Sequence, residues 1–140
     1  MFWSLLSIMA LGFSGCSDDD EGSSSDLIGT WECVSSYYYE KKNGKIVYED
    51  ENDDVGHIIQ FSSDGTCRDK NSNGDSWDDI GTWSYKNGIV SMFGGDTDVE
   101  SVPLKSLTST EFVVEQYAKE TYNGDNYEYY DKLVYHKISE

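Results

Sequence analysis

Leu27-Ile28-Gly29-Thr30-Trp31-Glu32-Cys33-Val34-Ser35-Ser36-Tyr37-Tyr38-Tyr39 reads as the first strand of an all-β domain. Trp31, Cys33 and Tyr37 occupy odd positions, which a pleated strand places on one face. Gly29, two residues before Trp31, suits a close backbone approach at a strand start. The pattern returns as Gly81-Thr82-Trp83-Ser84-Tyr85, so two similar aromatic strands are expected in one sheet.

Working outward, turn chemistry punctuates the chain. Asn43-Gly44, Asp64-Gly65, Asn73-Gly74, Asn87-Gly88, Gly94-Gly95 and Asn123-Gly124 are hairpin signals, and residues 50–54 and Thr108-Ser109 add two weaker connections. The connections imply strands near 28–39, 45–49, 57–61, 66–70, 80–86, 89–93, 98–106, 111–119 and 127–137. Several alternate: Ile59 with Phe61, Phe112 with Val114, and Leu133 with Tyr135 share faces. Alternation suits a sheet with one face inside and one in water. A long antiparallel meander removes its exposed edges by closing. The expected fold is therefore an antiparallel up-and-down β-barrel of about eight to nine strands. No heptad or amphipathic helical stretch competes with it.

The chain has 140 residues with a formal net charge of -17, eleven tyrosines, four tryptophans and one proline. That length allows one domain after any leader. The acidity argues against nucleic acid and against an anionic membrane surface as partner of the folded domain, because both would be repelled. Tyrosine and tryptophan favour strands.

Residues 1–15 are apolar and too short to span a bilayer, which takes about 20 residues. They read as a signal peptide. Ser14-Gly15-Cys16 resembles the bacterial lipobox, which implies an acylated Cys16 as the mature N-terminus and the membrane as its partner. Phe13 and the missing basic n-region depart from that pattern. Residues 16–26 are acidic and then serine-rich, a flexible tether ahead of a domain at 27–140. Cys16-Ser17-Asp18-Asp19-Asp20 resembles the export signal of Bacteroidota lipoproteins, which implies the outer face of the outer membrane; a periplasmic spacer is the alternative.

Gly29-Thr30-Trp31 is similar to the Gly-x-Trp signature of lipocalins. With Phe61-Ser62-Ser63-Asp64-Gly65-Thr66, Gly81-Thr82-Trp83-Ser84-Tyr85 and Leu104-Lys105-Ser106-Leu107-Thr108, the layout over about residues 27–138 resembles the lipocalin-like domains of Bacteroidota lipoproteins. The resemblance implies a lipocalin-like barrel holding a small apolar ligand in its cup, with Trp31, Phe61, Trp83, Tyr85 and Phe112 as lining or floor. It also implies a late basic side chain over the first-strand tryptophan. Arg68 is the only arginine, so Lys132 or Lys137 takes that place, or no residue does.

With Cys16 acylated, Cys33 and Cys67 remain, and an oxidising compartment favours a disulfide between them; two free buried thiols are the alternative. Asp69, Asn71, Asn73 and Asp75, with Gly74, resemble a calcium loop, although its twelfth position is Ile80 rather than Glu; a polar hairpin loop is the alternative. No other cofactor is expected. Residues 49–54 read as a solvated acidic loop. Tyr37, Tyr38 and Tyr39 with Tyr127, Tyr129 and Tyr130 are candidates to line a barrel mouth, where aromatic rings stack on sugars or lipids, or else ordinary strand filling. No catalytic motif is present, and His57 and His136 are lone strand histidines, so an enzyme is not expected. Two functions follow: a monomeric, lipid-anchored carrier of a small apolar or aromatic ligand, or a filled barrel whose loops contact another protein or inhibit an extracellular enzyme.

Overall fold

A computed structural model describes residues 23–71, 74, 76–94 and 99–140. The signal peptide, Cys16 and most of the tether lie outside the described residues. So do Asn73 and Asp75 of the proposed calcium loop.

A short helix, α1 (Ser24–Leu27), leads into β1 (Gly29–Lys42), β2 (Lys45–Glu51), β3 (Ile58–Phe61), β4 (Thr66–Lys70), β5 (Asp78–Lys86), β6 (Ile89–Phe93), β7 (Val99–Leu107), β8 (Glu111–Tyr122) and β9 (Asp125–Ser139). Residues 24–26, read as tether, are helical instead. The Asp26 carboxylate accepts from the Ser23 backbone N–H, and Leu27 buries its side chain completely.

All strand pairs are antiparallel, in the order β2-β1-β3-β4-β5-β6-β7-β8-β9, and β9 closes back on β1. One edge of β1 pairs entirely with β9. Its other edge is divided: Gly29 to Glu32 pair with β3, and Tyr37 to Lys42 pair with β2. The result is a closed eight-stranded barrel with β2 as an extra strand outside the closure. Asn43, Asn87 and Asn123 each turn at positive φ with a glycine following, the two-residue geometry whose twist matches the flanking strands.

Tight connections around residues 62–65, 87–88 and 108–110 gather at one end with α1 and the last residues of β9. Residues 52–57 lie at the other, with the strand ends Lys70, Asp78, Phe93 and Val99. There the strands are unequal in height. β1, β2, β8 and β9 continue past the barrel as a four-stranded wall, β2-β1-β9-β8, crowned by the Asn43-Gly44 and Asn123-Gly124 turns. The sequence signals end β8 too early, at 119, and begin β9 too late, at 127, because the polar residues between them read as loop. Cross-strand pairs from Glu115↔Lys132 to Tyr122↔Asp125 keep the hairpin intact.

Buried apolar side chains fill the barrel: Trp31, Ile59, Phe61, Val90, Met92, Phe112, Val114 and Leu133 are nearly inaccessible. The register of β1 against β9 slips between Cys33 and Ser35, leaving Val34 bulged and exposed. One extra residue exchanges the faces of the strand beyond it. Trp31 and Cys33 point inward as expected; past the bulge, Ser36 and Tyr38 take the inner side and Tyr37 goes outside.

Candidate functional site

The closed end is built around Trp31. Its indole Nε1–H donates to the Leu27 carbonyl at 2.8 Å, tying the first strand to α1. Lys137, arriving on β9, holds its ammonium 5.0 Å from the Trp31 ring centroid and donates to the Asp26 carbonyl at 3.0 Å. A buried ammonium needs this kind of partnering, an aromatic face and an acceptor together. Of the candidates for the late basic residue, Lys137 takes the place; Lys132 faces the outside of the wall beside Tyr37 and Glu115.

Above this plug three rings pack in series. Trp31 meets Phe112 edge-on at 4.8 Å, and Phe112 stacks on Tyr135 at 4.6 Å. Phe61 meets Trp83 edge-on at 5.3 Å. Of the five lining candidates, Trp31, Phe61 and Phe112 are fully buried floor, while Trp83 and Tyr85 are half-buried and pack against that core. Trp83 also donates its Nε1–H to the Ser62 carbonyl at 3.0 Å.

Polarity enters toward the open end. His57, buried just before β3, bridges two strands: its Nε2 lies 2.9 Å from Asp69 Oδ2, and its Nδ1 lies 2.7 Å from the Tyr135 hydroxyl. A carboxylate only accepts, so Nε2 carries the proton and Tyr135 donates to Nδ1. Burial raises the Tyr135 phenol well above its ordinary range, so it stays protonated. The chain Asp69–His57–Tyr135 thus satisfies two buried polar groups through one half-buried carboxylate and leaves the phenol proton committed to the imidazole. Asp69 is a strand residue, paired with Ile59, and its carboxylate is bonded to His57. Among the described residues no three His, Cys, Asp or Glu side chains converge on a metal position.

Cys33 and Cys67 are both free and buried, which corrects the expected disulfide. The register explains it. Cys67 lies level with Phe61, and Phe61 with Gly29, so Cys33 stands four residues further along and two strands across. That is about 13 Å along and about 10 Å sideways, beyond the reach of an S–S bond. Burial pushes the Cys33 thiol up to about 12 and Cys67 up to about 11.

Two acids stand near the rim. Asp131, on the inner face of β9 opposite Tyr38, is raised to about 6 by burial first and by Asp54 second. Asp54 is raised by burial and Asp53, its backbone N–H donates to Ser36 Oγ, and its Oδ1 is buried without a partner. Neither acid stood out in the sequence, since nothing distinguishes them from the other carboxylates.

The tyrosines divide by face. Cross-strand partners share a face, so the inner side of the wall carries Tyr38, Asp131 and Asp50 in one row, and Tyr48, Glu40, Tyr129 and Ala118 in the next. Lys42, Tyr127 and Glu120 follow above. Tyr37, Tyr39 and Tyr130 lie together on the outer side, with Tyr39 stacked on Tyr130 at 5.3 Å. At the crest an open groove of about 520 Å³ is lined by Asn43, Lys119, Glu120, Asn126, Tyr127 and Glu128.

One end plugged around Trp31, a floor of buried rings and a taller far end describe an antiparallel barrel closed by β9 on β1. A family profile described as a lipocalin-like domain matches residues 27–114, and the chain belongs to that family. The match ends at Val114, where β8 leaves the barrel and begins its climb into the wall. No curated protein and no solved structure matches the chain.

Proposed function

We propose that the barrel binds a small ligand with an apolar or aromatic body through its open end. The observation that carries this is the one-way gradient inside the barrel: Trp31 and Phe112 form an apolar floor, and the His57–Tyr135 pair and the rim acids lie above it. A ligand so held rests its body on the rings and turns its polar end to the rim. The acidic rim disfavours anionic ligands such as fatty acids and favours neutral or cationic ones. Titration with the neutral dye N-phenyl-1-naphthylamine tests this. Saturable one-to-one fluorescence enhancement supports the reading, and none at any accessible concentration refutes it.

The reading extends to address. An acylated Cys16 would hold the monomeric domain on the outer membrane, surface-exposed on the strength of the acidic stretch that follows it. The described chain enters at the plugged end through α1, so an anchored barrel would turn its mouth away from the lipid. Membrane fractionation of a Cys16→Ala variant tests the anchor: release to the soluble fraction supports it, and unchanged retention overturns it. A second reading, a barrel filled by its own side chains that works through its exposed surface, is favoured by the close packing of Trp31, Phe112 and Tyr135.

A further inference from the structure

We propose that the inner face of the wall, which rises from the rim of the barrel cup, is a binding platform for a neutral polysaccharide. Phenols and carboxylates interleave on that face as a checkerboard. Tyr38 has Asp50 and Asp131 on either side, and Glu40 lies between Tyr48 and Tyr129. The phenols donate to carboxylates of the same face: Tyr38 to Glu40 at 2.7 Å, Tyr129 to Glu120 at 2.7 Å, and Tyr48 to Asp50. Asp50 has a short side chain two residues along the same strand, so the Tyr48 ring must lean along the sheet to reach it. Tyr48 meets Tyr38 edge to face at 5.9 Å and Tyr129 stacks with Tyr127 at 6.5 Å, so the rings of this face form one continuous aromatic cluster.

Each bonded carboxylate keeps free lone pairs, because an ionised carboxylate has about four acceptor sites and the phenol takes one. The surface therefore presents an aromatic cluster, with Tyr48 half exposed, beside unfilled acceptors. A pyranose is the complement: its C–H face is weakly positive and seeks the negative face of a ring, and its hydroxyls are donors. Charge selects among glycans. Carboxylates outnumber lysines across the wall, and the whole chain carries -17, so uronates and sulfated glycans are repelled. A polycationic occupant is less suited, because this face already supplies a cation to one of its rings: Lys42 lies 5.9 Å from Tyr127. The groove at the crest, with Asn43, Asn126, Glu120 and Tyr127, continues the same chemistry.

Affinity electrophoresis in native gels tests the site, with the full chain run through dextran, soluble starch, xyloglucan and galactomannan, and with alginate and glycol chitosan as charged probes. The expected result is retardation by at least one neutral polysaccharide. Tyr48→Ala and Tyr129→Ala should each weaken that retardation about tenfold. Tyr117→Ala, on the outer face, should leave it unchanged, with circular dichroism confirming that all three variants fold. Absence of retardation by every neutral probe overturns the proposal. So does retardation by glycol chitosan alone, or retention of full binding in both inner-face variants. The cup reading is judged separately by dye binding, which Tyr48→Ala and Tyr129→Ala should not alter.

Discussion

Asp131→Asn should make the protein more stable at neutral pH, even though it removes a charge from a strongly charged chain. The carboxyl sits on the inner face of β9, near Asp54, and is raised from 3.8 to about 6 chiefly by burial. Folding thus favours the protonated form. Below about pH 4 both folded and unfolded chains hold the proton and nothing is lost. Between about 4 and 6 the unfolded chain gives up its proton while the folded one keeps it, so stability falls as pH rises; above about 6 the loss is complete. The displacement is worth about 3 kcal/mol in full. The amide has nearly the same shape and no charge, so the variant escapes that loss. Urea denaturation followed by tryptophan fluorescence should show a gain of about 2–3 kcal/mol at pH 7.5, falling to about half at pH 5 and nearly vanishing by pH 3.5. A variant that is less stable at pH 7.5, or a gain that does not change with pH, would show that Asp131 is not a carboxyl buried at a cost.

Three further outcomes are expected. Gly81→Ala should cost far more than Gly44→Ala: both positions have positive φ, but a Cβ on Gly81 would lie 1.9 Å from the Phe93 carbonyl oxygen, whereas nothing lies within 4 Å at Gly44. Comparative urea melts check this, with about 1 kcal/mol expected at Gly44 and loss of the soluble fold at Gly81. Iodoacetamide at pH 8 should leave Cys33 and Cys67 unmodified in the folded protein and label both in urea without reductant; failure to label in urea would restore the disulfide. Tyr135→Phe should destabilise by about 1–3 kcal/mol in the same melts, because it leaves the buried His57 Nδ1 without its donor; a neutral effect would mean that water reaches the imidazole.

The barrel was legible because its signals are local. Period-two burial in residues 57–61 and 111–115, and Asn-Gly turns, mark strands and their ends without knowledge of partners. The inward positions of Trp31, Phe61 and Phe112 follow from the same local alternation, and all three lie in the buried core. What was not legible depends on pairing. Val34 is a good strand former, so nothing local marks it as the bulged residue that sends Tyr37 outward. Asp69 fits a cation loop by spacing, yet a strand register across from Ile59 turns it to His57. The last residues of β8 and the first of β9, 120–122 and 125–126, are polar enough to read as loop, and only the hydrogen-bonded ladder between them makes them strand.

The β1–β9 ladder runs from Thr30↔Ser139 beside the plug to Lys42↔Tyr127 near the crest. Foundation and parapet are thus cut from the same two beams. A load applied at the top passes down the ladder to the joint of Trp31 and Lys137, as a mast transmits wind to its step. Loosening that joint should raise hydrogen exchange first in the lower rungs, beside Trp31 and Lys137, and only then along the ladder toward the crest.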